Sequence, residues 1–173
     1  FSLEQSHKTP ELILKLSDMM RYMLYKTNGQ WVLLEQEITY LQNYVNLQKL
    51  RIEGRGQVEF EIQGDPGKLL LAPMLLISYV ENAFKHSMDS KSEGIDISLL
   101  LRIYERQLYL EIKNNYEPGN PIPDKENGIG HQNTEKRLKL IYPYRHYLSI
   151  YPENNYFVVK LRLELHDDPD ADY

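Results

Sequence analysis

Asn82, Lys85 and His86 belong to the run Glu81-Asn82-Ala83-Phe84-Lys85-His86, at the end of an apolar stretch. Residues three and four apart share one side of a helix. Together they offer an amide oxygen, an ammonium and an imidazole. That set suits a metal-bound polyphosphate: the amide oxygen can ligate Mg2+, a hard cation that prefers oxygen, and the ammonium can neutralise phosphate. A polar helix end facing water accounts for the same residues. A second group is Gly128-Ile129-Gly130, followed by Asn133, Arg137 and Leu138. Glycines ahead of a helix let backbone amides approach an anion, and Asn133 and Arg137 share a helix face; a flexible loop end with a cap is the plainer account. Asn114-Asn115 ends an alternating apolar segment. A polar side chain there can accept a hydrogen bond from an adenine amino group, although Asn-Asn is also ordinary turn chemistry.

The elements that must position these residues follow from periodicity. Thr9-Pro10-Glu11 reads as a helix start, with Leu12, Leu16, Met19, Met20, Met23 and Leu24 on one face and Asn28-Gly29 as its stop. A second helix is expected over 34–50, with Leu34, Ile38, Leu41 and Val45 in a stripe. The period then becomes two. Val58, Phe60 and Ile62 alternate as a strand, and Gly64-Asp65-Pro66-Gly67 is a turn. Pro73 opens a helix through His86. Ile95 to Ile103 and Leu108 to Ile112 form a hairpin about Glu105-Arg106. The proline-rich stretch Tyr116–Asn127 is a mobile loop. A helix over 133–142 follows, then a strand at Leu148 and Ile150, then a last strand from Phe157 to Leu165. The expected fold is α+β: two N-terminal helices, residues 1–54, then a mostly antiparallel sheet covered by helices on one face, residues 55–165. The acidic tail 166–173 reads as disordered.

Composition narrows the function. A net charge of −5 from 25 acidic and 20 basic residues argues against a nucleic-acid-binding surface. With no cysteine, disulfides and Cys-based zinc sites are excluded. No apolar run is long enough to cross a bilayer, and no signal peptide is visible. The chain opens on Phe1, which points to a piece of a longer protein. Tyr142, Tyr144, Tyr147 and Tyr151 read as packing rather than a stacking surface. His166, Asp167, Asp168 and Asp170 read as a solvated tail rather than a metal site.

The order and spacing of the three groups carry a resemblance. Pro73…Glu81-Asn82-Ala83-x-Lys85-His86, then Asn114-Asn115, then Gly128-x-Gly130…Asn133…Arg137-Leu138 resembles the ATP-binding domain of LytS-type sensor histidine kinases, members of the GHKL superfamily. Ser17 to Leu24 resembles the helix that follows the phospho-acceptor motif in that family. The resemblance implies a Bergerat-type α/β sandwich for 55–165, with a mixed sheet, and a dimerisation remnant for 1–54. It implies Mg-ATP as cofactor, with Asn82 as metal ligand and Lys85 and His86 near the phosphates or ribose. Asn114 would meet adenine, Gly128 and Gly130 would flank an ATP lid over 116–127, and Asn133 and Arg137 would stand at the phosphate end. It further implies a homodimer, a response-regulator partner of LytTR type, and a cytoplasmic location within a bacterial inner-membrane protein.

Three departures accompany it. Asn114 stands where the superfamily usually has an adenine-reading Asp, and Tyr116 where it has a glycine. The acceptor motif Asn-Pro-His-Phe is absent, and Gln5-Ser6-His7-Lys8 does not match it, so this chain is not expected to phosphorylate itself. Four residues before Asn82, hydrolytic relatives place a Glu; here Ser78 stands. The reading is a kinase catalytic fragment. The alternatives are a degenerate module that signals by conformation with weak or no ATP binding, and a GHKL hydrolase.

Overall fold

The computed structural model describes residues 2–26, 29–89, 94–116 and 129–167. Helix α1 spans Ser2–Arg21 and runs into a π-helical segment, Tyr22–Lys26. The helix therefore starts before Thr9-Pro10, not at it. Proline forfeits one backbone hydrogen bond, but its fixed φ is helical, so the chain ahead of it can still coil. Of the predicted apolar face, Met19 is buried, while Leu16, Met20, Met23 and Leu24 stay exposed.

A two-residue strand β1, Val32–Leu33, leads into α2, Leu34–Arg51. Its stripe of Leu34, Ile38, Leu41 and Val45 is buried as expected, and Glu37 and Tyr40 are buried with it. The remaining elements are β2 Gly56–Gln63, β3 Leu69–Leu71, α3 Ile77–Asp89, β4 Ile95–Tyr104, β5 Gln107–Asn115, α4 Ile129–Ile141, β6 His146–Glu153, β7 Tyr156–Glu164 and β8 His166–Asp167. The main sheet has the order β2-β4-β5-β7-β6. Only β2 and β4 run parallel; the other neighbours are antiparallel. The parallel pair is possible because β3 and α3 form the crossover between its strands. Gly64 ends β2 with φ +94°, where an added Cβ would sit 2.1 Å from the Ile103 carbonyl oxygen; the turn needs glycine for both reasons.

One sheet face is apolar. Ile95, Ile97, Leu99, Leu101 and Ile103 of β4 line up with Leu108, Leu110 and Ile112 of β5 and with Leu161 and Leu163 of β7, all buried. Helix α3 covers this face, with α4 beside it. The core is continuous from Met19 and α2 through to Leu165. A small sheet, β1-β3-β8, closes one end. His166 and Asp167 pair with Leu70 and Leu69, so ordered structure extends two residues past the predicted end. Arg145 contacts the His166 ring at 2.9 Å, and Trp31 meets that ring edge-on at 4.6 Å. Asp168–Tyr173 and Glu117–Gly128, hence nearly all the predicted lid, lie outside the described residues.

Pro73 does not open α3. The helix begins at Ile77, and Met74 stands at φ +58°, which no helix continues. The reason is tertiary. The Met74 amide donates to Glu37 Oε1 at 2.6 Å, and the Tyr22 hydroxyl donates to the same oxygen. Burial raises the Glu37 carboxyl pKa above the ordinary 4.5, against the opposing pull of Tyr22, the Met74 amide, Arg137 and the Leu76 amide. Burial likewise pushes the Tyr22 phenol upward. The native state thus holds a proton on Glu37 more readily than the unfolded chain does. Its contribution is full below about pH 4.5 and is lost as pH rises through the native pKa. Urea unfolding of the parent chain and Glu37→Gln from pH 4.5 to 8 should show the parent losing stability relative to the variant as pH rises. A relative gain would contradict the assignment. Glu37→Ala, which strands the Tyr22 hydroxyl and the Met74 amide, should cost about 2–4 kcal/mol.

Candidate functional site

Asn82 and His86 lie one turn apart on α3, both half-buried. Asn114 stands at the end of β5, opposite Ile97 on one side and Phe157 on the other, and is 2% exposed. These three residues share one cleft, which Tyr79, Ala83, Ile150, Phe157 and Val159 complete. The cleft forms because α3 packs on the apolar sheet face over β4 and β5. The small Ala83 is what α3 presents between Asn82 and His86.

The Asn114 amide is oriented. Its Nδ2 donates to the Asn115 carbonyl oxygen at 3.1 Å, which leaves Oδ1 as an acceptor. Asn115 holds the strand end itself. Its Oδ1 accepts from the Asp96 amide at 3.1 Å, and its Nδ2 donates to the Gly94 carbonyl at 3.1 Å. The neighbouring asparagines thus divide the work: Asn115 ties β5 to the start of β4, and Asn114 faces the cleft. Tyr116, the residue after them, packs on Phe157 with ring centroids 6.1 Å apart, and its amide donates to the Asn155 carbonyl at 2.7 Å.

The remaining predicted residues lie elsewhere. Lys85 is exposed on α3 and is not part of the lining. Gly130 is in the first turn of α4, which begins at Ile129 rather than 133, and Asn133 is exposed on that helix. Arg137 lies within electrostatic reach of Glu37, Tyr22 and Tyr142, toward the helical segment. Gly128 lies outside the described residues, as do the side chains of His7 and His131. Glu81, next to Asn82, turns toward α2, where it acts on the phenols of Tyr40 and Tyr44; burial raises its own pKa. Tyr44, raised to about 12 by burial first and Glu81 second, also meets Phe84 edge-on at 5.7 Å.

Sequence reading did not single out Tyr79, Ile150, Phe157 and Val159 for the site. Periodicity marked Ile150, Phe157 and Val159 only as strand core. The cleft is nearly closed, with a free volume of about 10 Å³, so α3 and the sheet must part before a ring can enter. Its lining combines an aromatic and aliphatic floor, a fixed amide acceptor, and an amide and imidazole on the facing helix, the donor and acceptor types that a polar ring with an anionic extension needs. The amide oxygen of Asn82 fits a hard cation. Among the described residues, no cluster of three His, Cys, Asp or Glu forms a metal site.

This arrangement of layers has known counterparts. The nucleotide-free catalytic domain of histidine kinase ThkA superposes with a TM-score of 0.53 at 12% identity, over 78% of this chain and 93% of that one. ThkA in complex with response regulator protein TrrA gives 0.52 at 15% identity, over 90% of this chain and 48% of that one. The chain therefore has the fold of histidine kinase catalytic domains. Residues 1–56 match the histidine kinase family model. Sensor protein kinase HptS of Staphylococcus aureus is 30% identical over 104 residues, covering 60% of this chain. The chain spans 20% of the length of that curated relative.

Asn115→Ala should release the start of β4 without emptying the cleft. The expected result is a loss of about 1 kcal/mol in denaturant unfolding, with faster hydrogen exchange at the Asp96 amide. Unchanged exchange there would show that the Asn115 bonds do not hold the strand end.

Proposed function

We propose that this chain is the nucleotide-binding catalytic part of a two-component sensor histidine kinase of LytS type. The observation that carries the reading is that Asn82 and His86 on α3 and Asn114 at the end of β5 line one cleft between α3 and the sheet. In this reading Asn114 accepts from the adenine amino group through Oδ1, and Phe157, Val159 and Ile150 pack against the base. Asn82 ligates Mg2+ on the phosphates, and His86 stands beside them. Lys85, Gly128, Gly130, Asn133 and Arg137 are assigned to the phosphate end, and the stretch 116–127 to the lid. The bound metal supplies charge neutralisation for phosphoryl transfer, which depends mainly on positioning and electrostatics. The acceptor would be a histidine upstream in the parent protein, and the phosphate would pass to a response-regulator aspartate. The ThkA–TrrA complex is a precedent for such a partner; a LytTR-type regulator is the one the resemblance favours.

The division into a dimerisation remnant at 1–54 and an ATP-binding unit at 55–165 is part of this proposal, as is homodimerisation of the parent. Ile13, Leu14, Leu16 and Met20 on α1 and Leu24 on the π-helical segment are exposed, an apolar stripe of the kind a partner helix covers. No helix among the described residues is long and apolar enough to cross a membrane, and the cytoplasmic side of an inner membrane is the proposed location. A second reading, a module that signals by conformation, draws on Tyr116 packing against Phe157 beside the cleft.

Calorimetric titration separates the two. Mg-ATP should bind with a dissociation constant below about 1 mM, and Asn82→Ala should weaken it at least ~10-fold, or ~1.4 kcal/mol, with the melting temperature little changed. A folded chain that takes up no Mg-ATP at millimolar concentration would exclude the kinase reading. Incubation with γ-labelled ATP should leave His7 unlabelled.

A further inference from the structure

We propose that Tyr22 and Glu37 are positioning residues for the nucleotide site: they latch the end of α1 to the start of α3, so that the orientation of α1 sets where Asn82 and His86 stand in the cleft. The inference rests on the nucleotide-site reading above for its consequence, but not for the latch itself.

Four observations meet at one carboxyl group. Glu37 is fully buried on the first turns of α2. Its Oε1 accepts from the Tyr22 hydroxyl and, at 2.6 Å, from the Met74 amide. Tyr22 is the first residue of the π-helical segment and is 8% exposed, its ring 5.1 Å from Tyr40. A π-helical turn at a helix end marks a place where the chain departs from the uniform ladder, often for function. Met74 holds φ +58°, a conformation that costs energy in a non-glycine residue and persists only when its surroundings impose it. The Glu37 bond is that imposition.

The geometry makes the joint directional. The strap Ala72–Leu76 is held at its other end by the Ala72 amide, which donates to the buried Tyr142 hydroxyl at 2.9 Å. Immediately after it, the Leu76 carbonyl accepts from the amides of Tyr79 and Val80 at 3.2 and 3.4 Å, starting α3. No acidic residue lies in the first turn of α3. Three residues ahead of Ile77, the Met74 amide is held by an acceptor from α2. Asn82 follows the start of α3 within two turns, and His86 follows one turn later. Withdrawal of the Tyr22 hydroxyl would leave the carboxyl only the backbone amides of the strap, those of Met74 and Leu76, and would free α1 from it. The Tyr44–Phe84 contact would remain as the pivot between α2 and α3.

Coupling of this kind is reciprocal: whatever α1 does to the site, ligand at the site must do to α1. The test is backbone hydrogen exchange on the whole chain, with and without Mg-ATP. Without ligand, Tyr22→Phe should speed exchange several-fold at Leu75–Val80 and leave β4, β5 and β7 within two-fold. Glu37→Gln, which keeps an Oε1 acceptor, should stay closer to the parent there than Glu37→Ala. With Mg-ATP bound, the parent should change exchange at Met19–Leu24 at least several-fold, and Tyr22→Phe should lose that response while still binding. Acceleration spread equally over β4, β5 and β7, or a parent that binds Mg-ATP with no change at Met19–Leu24, overturns the latch. That second measurement needs no variant to fold. Failure of Mg-ATP to bind at all refutes the nucleotide reading instead, and the ligand-free comparison then decides the latch alone.

Discussion

A five-stranded sheet with one apolar face cannot stand uncovered in water, and the helix that covers it decides where everything polar goes. Each fully buried Leu or Ile on that face contributes about 1.5–3 kcal/mol relative to exposure, and β4, β5 and β7 together present ten such positions. Helix α3 is seated by Val80, Ala83 and Phe84, all buried. Once these face inward, the helical period leaves Asn82 and His86 at the margin of the contact, above the ends of β5 and β7. The site is thus a by-product of core packing. Its polar residues are placed by their apolar neighbours.

The same logic explains why the cleft has an apolar floor and a single oriented amide. Asn114 lies on the inward face of β5, in the alternation that buries Leu108, Leu110 and Ile112. A buried amide must find partners. Its Nδ2 finds the Asn115 carbonyl, and its oxygen is the group that remains for a ligand. Asn115, one residue on, points to the other face by the strand's period of two and bonds the neighbouring strand. Adjacent residues of one type therefore face opposite ways, Asn114 into the cleft and Asn115 onto the neighbouring strand.

The helical segment is not an appendage. Glu37 and Tyr22 carry polar chemistry into the core between α1, α2 and the strap before α3. A buried carboxyl that gathers its donors from separate elements is a poor device for stability and a good one for specifying one arrangement. It answers why Met74 takes a left-handed conformation where a helix start was expected. Arg137, which similarity assigned to the phosphate end, lies within the field of the same carboxyl, so α4 also feels the state of this joint.

Periodicity alone determined the helix expected over 34–50, the strands β2, β4, β5 and β7, and the one-sided sheet, because burial of alternate or every third and fourth residue leaves a direct imprint on residue order. The run from Glu81 to His86 and the Asn114-Asn115 pair were legible as polar endings of apolar elements. Long-range pairing was not. The strands β1, β3 and β8 are two or three residues long and exist only because partners elsewhere complete them. Phe157 and Val159 could be read as core but not as the floor of a cleft, since that depends on where α3 crosses the sheet. The start of α3 at Ile77 rather than at Pro73 was decided by a carboxyl 37 residues away in sequence from the Met74 amide it binds. Local propensity carries no trace of an acceptor that distant, and only the folded chain brings the two together.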